Sequence, residues 1–573
     1  MFLLMKKLRW QILVVALALV VVAVLLLTQR TTVNPVLPEP TSGGIYTEAM
    51  VGSFGRLNPL LDLDNPADRE VDRLLFSSLV RFDSRGVPQP DLAESWGVSA
   101  DGTIYNVTLR SDAIWQDGEP VTSDDVLFTL NLLRSENSAY PADVRAMWDN
   151  VDITRINDKN IKFTLTEPFA PFLDYLTFGI LPQHLLENVT ADQLANADFN
   201  LAPVGSGPYK LDHLTIEQGQ ITGIVLDAWK DYYAQVPFIE QIVFRYYPTA
   251  QSAMDAYQAG EVLGISQITS DVLPTALAET NLSLYSSRMP RLTMVLLNLG
   301  DDQLPFFQDK KVRNALMLGL NRQWMVDSLL QGQGVVADGP ILPGTWAYYD
   351  GIPHIDFDAD ASIAELKADG YILPVDSPVR AKDGVPISFT MIYPDDSLHA
   401  QLAQTIQQNW AAIGVEVKLQ AVSYDSLIND YLTPHSYQAA LVDLDLSRSY
   451  DPDPYPFWHQ AEITGGQNYS QWDDRTASEY LETARVVADM DVRTRLYRNF
   501  QVVFARELPA LPLYYPIYTF GVDQRVQGVQ ATPLFEPADR FNVISDWYLV
   551  TRRALDQTEV PAIETDTGAP AGP

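Results

Sequence analysis

The chain has no cysteine in 573 residues. That absence excludes disulfides, zinc–thiolate and iron–sulfur sites, cysteine nucleophiles and a lipid-modified N-terminal cysteine. Basic residues are also scarce, 39 lysines and arginines against 73 acids, for a net charge of −34. A surface of that sign repels phosphate backbones and anionic headgroups, so nucleic acid is excluded as a partner. Histidine is rare as well. His184, His213, His354, His399, His435 and His459 include no pair at i, i+3 or i+4, so no transition-metal site is expected. No G-x-x-x-x-G-K-[ST] loop occurs, and "GSGP" at 205–208 lacks the flanks of a nucleophile elbow, so it reads as a turn. No catalytic residue, metal or cofactor is assigned.

What is present is a globular composition, 47% hydrophobic and 10% aromatic, on a chain too long for one core. From Trp10 to Gln29 there is no charge, and Ile12–Leu27 is unbroken apolar. At about 1.5 Å per residue this run spans the roughly 30 Å hydrocarbon core. Lys6, Lys7 and Arg9 precede it, which keeps residues 1–9 cytoplasmic and exports the rest. No small-x-small site follows the run, so an uncleaved anchor is expected over a removed signal. Residues 30–42 read as a Pro/Thr-rich linker and 551–573 as a disordered tail.

In the body, "DSRGVPQPDLAESW" (83–96) and "SADGTIYNVTLR" (99–110) read as hairpin elements, the second turning at Asp101-Gly102. A Thr or Ser cap precedes the helical run 122–134. Residues 309–330 are expected to form one helix, with Val312, Leu316, Leu320, Met325 and Leu329 as its buried stripe. In 397–419, Leu398, Leu402, Ile406, Trp410 and Ile413 make a helical stripe, Gly414 closes it, and Val415, Val417 and Leu419 alternate as a strand. "DFDADAS" (356–362) fails as a calcium loop, with Ala361 and Lys367 at the sixth and twelfth positions, so Asp358 or Asp360 is a helix cap. Asp62 and Asp64 are expected to be solvated.

Several patterns in order resemble the extracytoplasmic solute-binding proteins of ABC transporters, family 5 (oligopeptide, dipeptide and nickel type). They begin with "LNPLLDLDNPADREVDRLLFSSLVRFD" (57–83), "PDLAESW" (90–96), "DGTIYNVTLR" (101–110) and "WQDGEPVTSDDV" (115–126). "PVGSGPYKL" (203–211), "AYQAGEV" (256–262), "GVVADGPILPGTWAYY" (334–349) and "DVRTRLYRNFQVVFARELPALPLYY" (491–515) continue the order. The resemblance covers residues 43–550. It implies an α/β fold, a two-lobed periplasmic-binding-protein clamshell with an extra small domain (class II type), here preceded by one N-terminal transmembrane helix at 10–29. The implied lobes are 43–85, 201–290 and 516–550 for the first, 86–200 for the small domain, and 291–515 for the second. It also implies a membrane-tethered monomer outside the cytoplasm, in the periplasm or at the cell surface. Its partners would be a solute and an ABC permease, with an oligopeptide as the first expected ligand. An oligosaccharide, or a sensor role with a signalling partner, is the alternative.

The stretch "LVDLDLSRSYDPDPYPFW" (441–458) carries the candidate site. Asp451-Pro452-Asp453 reads as a structural turn, since Asp accepts backbone N–H bonds and Pro fixes φ. Peptide binders that this chain resembles carry an aspartate three residues before that turn, which pairs with the ligand's α-amino group. Here that position is Arg448, whose planar fork suits a carboxylate, phosphate or sugar hydroxyl, with a surface residue paired to a nearby Asp as the competing role. Asp443 and Asp445 alternate on a strand and so share one face. Trp458, Tyr469 and Trp346 are candidate cleft walls, with core packing as the competing role for each.

Overall fold

Glycines and caps set the local frame. The structure, a computed structural model, describes residues 38–447, 450–531 and 533–553. The chain turns at Gly102 (φ +73°) between paired strands Ala93–Val98 and Ile104–Leu109, as the Asp-Gly pair predicts. Thr122 caps helix Ser123–Leu133 in a reciprocal box with Asp125. Asp358 caps helix Ala359–Ala368. The turn at 205–207 passes so close to helix Pro66–Leu75 that a Cβ on Gly205 would collide with the Leu75 carbonyl oxygen.

Seven strands define how the molecule divides: β1 (Pro38–Thr41), β2 (Ile45–Val51), β3 (Leu282–Arg288), β4 (Arg291–Leu297), β5 (Ala439–Asp445), β6 (Ala510–Asp523) and β7 (Val550–Arg553). β6 is shared between two bodies. Its first part pairs with β4 (Ala510↔Leu296 to Tyr514↔Thr293), and its second with β3 (Ile517↔Arg288 to Asp523↔Leu282). Between β3 and β4 lie only Met289 and Pro290. The backbone therefore crosses between the bodies twice, at Met289–Pro290 and at Pro516. Two adjacent strand crossings with no helix between them are the geometry of a hinge.

The apolar cores respect that division. One gathers buried side chains from Tyr46 to Phe244 and from Tyr518 to Trp547, together with Tyr450, which packs in a slot between Phe82 and Phe535, with a smaller satellite around helix Ala250–Gln258. Two more gather side chains from Leu292 to Tyr515, one on each face of the β4–β5 sheet. We call the first body lobe I and the second lobe II. Residues 93–165 add a separate four-stranded sheet, whose buried side chains merge with the lobe I core.

Some expectations need correction. The run 309–330 is not one helix: Lys310–Leu318 ends at Gly319, and Asn321 caps a new start at Arg322, which passes into a π-helical turn, Met325–Leu329. Asn321 Oδ1 accepts the Trp324 N–H, which fixes the break. Asp62 is not solvated; it is 7% exposed and lies 3.6 Å from Arg69. Burial, only partly offset by Arg69, pushes its carboxyl up to about 7. Finally, the end of the linker and the start of the tail are ordered together, because β1 pairs with β7 antiparallel, Pro38↔Arg553 to Thr41↔Val550. A two-stranded ribbon is all edge, so it tolerates prolines at alternate positions. The apolar segment 10–29 lies outside the described residues, among which no helix is long and apolar enough to cross a membrane.

Candidate functional site

β4 and β5 pair in register, Thr293 opposite Asp443 and Arg291 opposite Asp445. Alternation along both strands sorts the side chains by face. Met294, Leu296, Val442 and Leu444 point to the side of Trp458, while Thr293 and Asp443 point toward helix Ser397–Ala412. On the first side lies a cavity of about 160 Å³. Its apolar wall comes from β4, β5 and a short helical segment, where Ser423 caps Tyr424–Ser426 before a π-helical Leu427–Leu432. Asp443, Asp445, Trp458 and Tyr469 all line it.

Trp458 is core and cavity wall at once: 2% exposed, it meets Phe504 edge-on at 4.8 Å. Tyr469 is half-buried, and its carbonyl accepts the Tyr437 hydroxyl at 2.6 Å. Tyr424, 55% exposed, stands at the mouth. Asp445 is exposed and its Oδ1 accepts the Ser447 N–H at 2.9 Å. Asp443 accepts the Thr293 hydroxyl at 2.5 Å. Behind it, His399 Nε2 lies 3.6 Å from Asp443 Oδ2, and His399 Nδ1 lies 2.6 Å from Asp396. Burial opposes charge on Asp443, but His399 and Thr293 outweigh it and hold the carboxyl below its ordinary value. Burial likewise opposes charge on His399, and Asp443 and Asp396 outweigh it, so the imidazole sits above its ordinary value.

Trp346 is not part of this cavity's lining. Its ring packs on Tyr497 (5.5 Å) and under the Arg493 guanidinium (5.2 Å), and its backbone N–H donates to the Arg85 carbonyl at 2.9 Å. Arg448 lies outside the described residues, together with Ser449.

The Asp451-Pro452-Asp453 turn is held by two arginines of lobe II. Arg493 Nη1 lies 2.5 Å from Asp451, and Arg485 Nε 2.8 Å from Asp453. Arg485 also stacks 4.1 Å over Tyr455. Asp451 Oδ1 accepts the Asp453 N–H at 3.2 Å, closing the turn locally. Burial raises the Asp453 carboxyl even against the pull of Arg485. A cluster whose acids are consumed by arginines and turn amides has no free carboxylate pair for acid–base chemistry.

These strands, turn and cavity stand inside a stretch that matches a known family. A family model described as bacterial extracellular solute-binding proteins, family 5 Middle, matches residues 87–467. The chain belongs to this family. The oligopeptide-binding protein AppA of Bacillus subtilis is 27% identical over 519 residues, covering 89% of this chain and 92% of that protein. The dipeptide-binding protein of Escherichia coli K12 is 25% identical, covering 80% and 90%. The solved structure of B. subtilis AppA in complex with a nonapeptide matches with a TM-score of 0.64 at 26% identity, covering 89% of this chain and all of that one. Campylobacter jejuni NikZ in complex with Ni(L-His) shares the fold, with a TM-score of 0.63 at 24% identity over 88% and 99% of the two chains. The family 5 fold is therefore the mixed α/β, two-domain architecture described above.

Sequence reasoning missed the Tyr424–Leu432 wall, Met294 and His399. The available signal for the last was an Asp–x–x–His spacing at a helix start, Asp396 to His399, which places both groups on one turn.

Proposed function

We propose that the protein captures a solute on the extracytoplasmic side of the cell membrane and passes it to an ABC transporter permease, performing no chemistry on it. The observation that carries this reading is an apolar cavity with Asp443 and Asp445 in its lining, in lobe II beside the Met289–Pro290 crossing. Such a pocket suits an apolar side chain, and the exposed Asp445 carboxylate at the end of β5 suits an ammonium beside it, whereas the Asp443 carboxylate is held by Thr293 and His399 on the other face. An oligopeptide has both. The names of the B. subtilis and E. coli relatives support the same choice. An oligosaccharide is the second reading, favoured by the exposed Tyr424 ring at the cavity mouth.

In this reading residues 10–29 anchor the chain, and the lobes are 43–85 with 201–290 and 516–550, then 86–200, then 291–515. Arg448, between Leu446 and Tyr450, meets an anionic or hydroxyl-bearing part of the ligand. The test is thermal shift against pools of apolar-containing nonapeptides and against oligosaccharides. A ligand at 100 times its Kd adds about 2.7 kcal/mol of stability. A shift with peptides supports the first reading, and a shift with glycans alone sinks it. Turnover of a stabilising ligand overturns the claim that no chemistry occurs. Arg448→Ala is expected to weaken that ligand by at least ~10-fold, about 1.4 kcal/mol; unchanged affinity returns Arg448 to the surface.

A further inference from the structure

The indole N–H of Trp458 is a donor without an acceptor. The residue is 2% exposed and lines the lobe II cavity, yet among the described residues its Nε1–H meets no hydrogen-bond partner. A buried Trp N–H ordinarily finds one. The ring is held in place from the core side, where Phe504 meets it edge-on at 4.8 Å and Trp472 at 6.5 Å. Its backbone is fixed as well, since the Trp458 N–H donates to the Pro454 carbonyl at 3.1 Å.

The surroundings of that donor are apolar. Leu296, Leu427, Leu432 and Val442 line the cavity and are all buried. Ser470, 1% exposed, has its hydroxyl proton on Asn468 Oδ1 at 3.1 Å, which leaves its lone pairs for a donor. Asp443 is turned to Thr293 and His399 on the opposite face of the sheet. Inside the mouth a charged side chain therefore has no counter-charge, and the walls disfavour it. Size is the second restriction. The cavity measures about 160 Å³, and a dry apolar cavity of about 150 Å³ admits benzene. One six-membered ring fits, and a fused indole does not.

We propose that this cavity is a subsite for one neutral, phenyl-sized group that carries a hydrogen-bond acceptor. A phenol, the tyrosine side chain, has that chemistry: its oxygen accepts the Trp458 N–H and its own proton goes to Ser470 Oγ. The assignment to tyrosine within a peptide rests on the binding-protein reading above, whereas the fit of a free phenol does not.

The test uses the intact protein and three free probes, p-cresol, toluene and indole. By calorimetry p-cresol is expected to bind at least ~3-fold more tightly than toluene, the worth of a net hydrogen bond, with no measurable binding of indole. In proton–nitrogen correlation spectra p-cresol is expected to shift the indole signal that is missing from Trp458→Phe. That variant keeps an aromatic ring and is expected to bind the two monocyclic probes equally; if it does not fold, the wild-type ranking decides alone. Equal wild-type affinity for p-cresol and toluene, or indole bound as tightly as p-cresol, overturns the proposal. A second arm compares alanine peptides with a central Tyr, Phe, Trp or Lys. Preference for Tyr over Phe, with Trp and Lys weakest, supports the subsite. Equal binding of all four keeps the transport reading and overturns the subsite. Binding of p-cresol with no peptide bound keeps the subsite and counts against an oligopeptide as the solute.

Discussion

His399 and Asp443 face each other at 3.6 Å behind the cavity, too far for a hydrogen bond and close enough for an ion pair. Each shifts the other toward its charged form. Asp396 is the second acid on the imidazole, and Arg291 adds positive potential at Asp443.

A pH dependence follows from those directions. The folded His399 value is raised, so its contribution is complete below about pH 6.5 and fades as pH rises through the folded value. The folded Asp443 value is lowered, so its contribution is present above about pH 4 and is lost as pH falls through the folded value. The pair therefore stabilises most between roughly pH 4 and 6.5. His399→Gln is expected to flatten the stability profile across neutral pH, measured as urea midpoint against pH. An unchanged slope refutes the coupling.

The buried Asp451–Arg493 pair predicts a large, one-sided cost. Both side chains are nearly inaccessible, 7% and 5%. Arg493→Met leaves Asp451 with the Tyr497 hydroxyl and turn contacts only. Loss of one partner of such a pair costs about 3–5 kcal/mol. Chemical denaturation reads it directly, and a loss under about 1 kcal/mol would show that water replaces the guanidinium.

At Gly205 the expected effect is steric. Gly205→Ala drives a methyl into the Leu75 carbonyl oxygen, whereas Gly260 has open space around its missing Cβ. The first change is expected to lower stability by about 2 kcal/mol or more. Gly260→Ala, at φ +75°, costs only about 1 kcal/mol of backbone strain. Equal melting temperatures for the two variants would contradict the close approach.

Filling the cavity separates ligand contact from folding. Leu444→Trp places a larger ring where Leu444, half-buried, now lines the space. Stability is expected to change by about 1–3 kcal/mol, the range for overpacking. The thermal shift given by a stabilising peptide is expected to vanish. A retained shift places the ligand elsewhere.

How much of the fold and site is legible in the sequence varies with the range of the contact. The shared face of Asp443 and Asp445 follows from strand alternation, and the Gly414 stop and Thr122 cap follow from local chemistry. The broken helix at Gly319–Asn321 escapes the sequence because the apolar spacing runs through the break while the backbone does not. The cavity's third wall is invisible there because a π-helical turn, Leu427–Leu432, obeys neither the strand nor the α-helix period. Tyr450 sits in its slot through partners 368 positions before it and 85 after it, Phe82 and Phe535, which no local pattern encodes. Asp62 misleads for the same reason in miniature: its burial depends on how Asp68, Arg69 and Asp72 of the next helix pack beside it.

The β1–β7 ribbon brings the two ends of the described body to one spot, and β1 leads within three residues into β2. β2 lies inside the sheet, bonded on one side to Gln241–Tyr247 and on the other to Gly264–Ile265. Any pull on the chain ahead of Pro38 is thus delivered to an interior strand of lobe I, where parallel neighbours share the load. Lobe II is joined to that body along the backbone at Met289–Pro290 and Pro516, so a pull on the chain ahead of Pro38 reaches lobe I first.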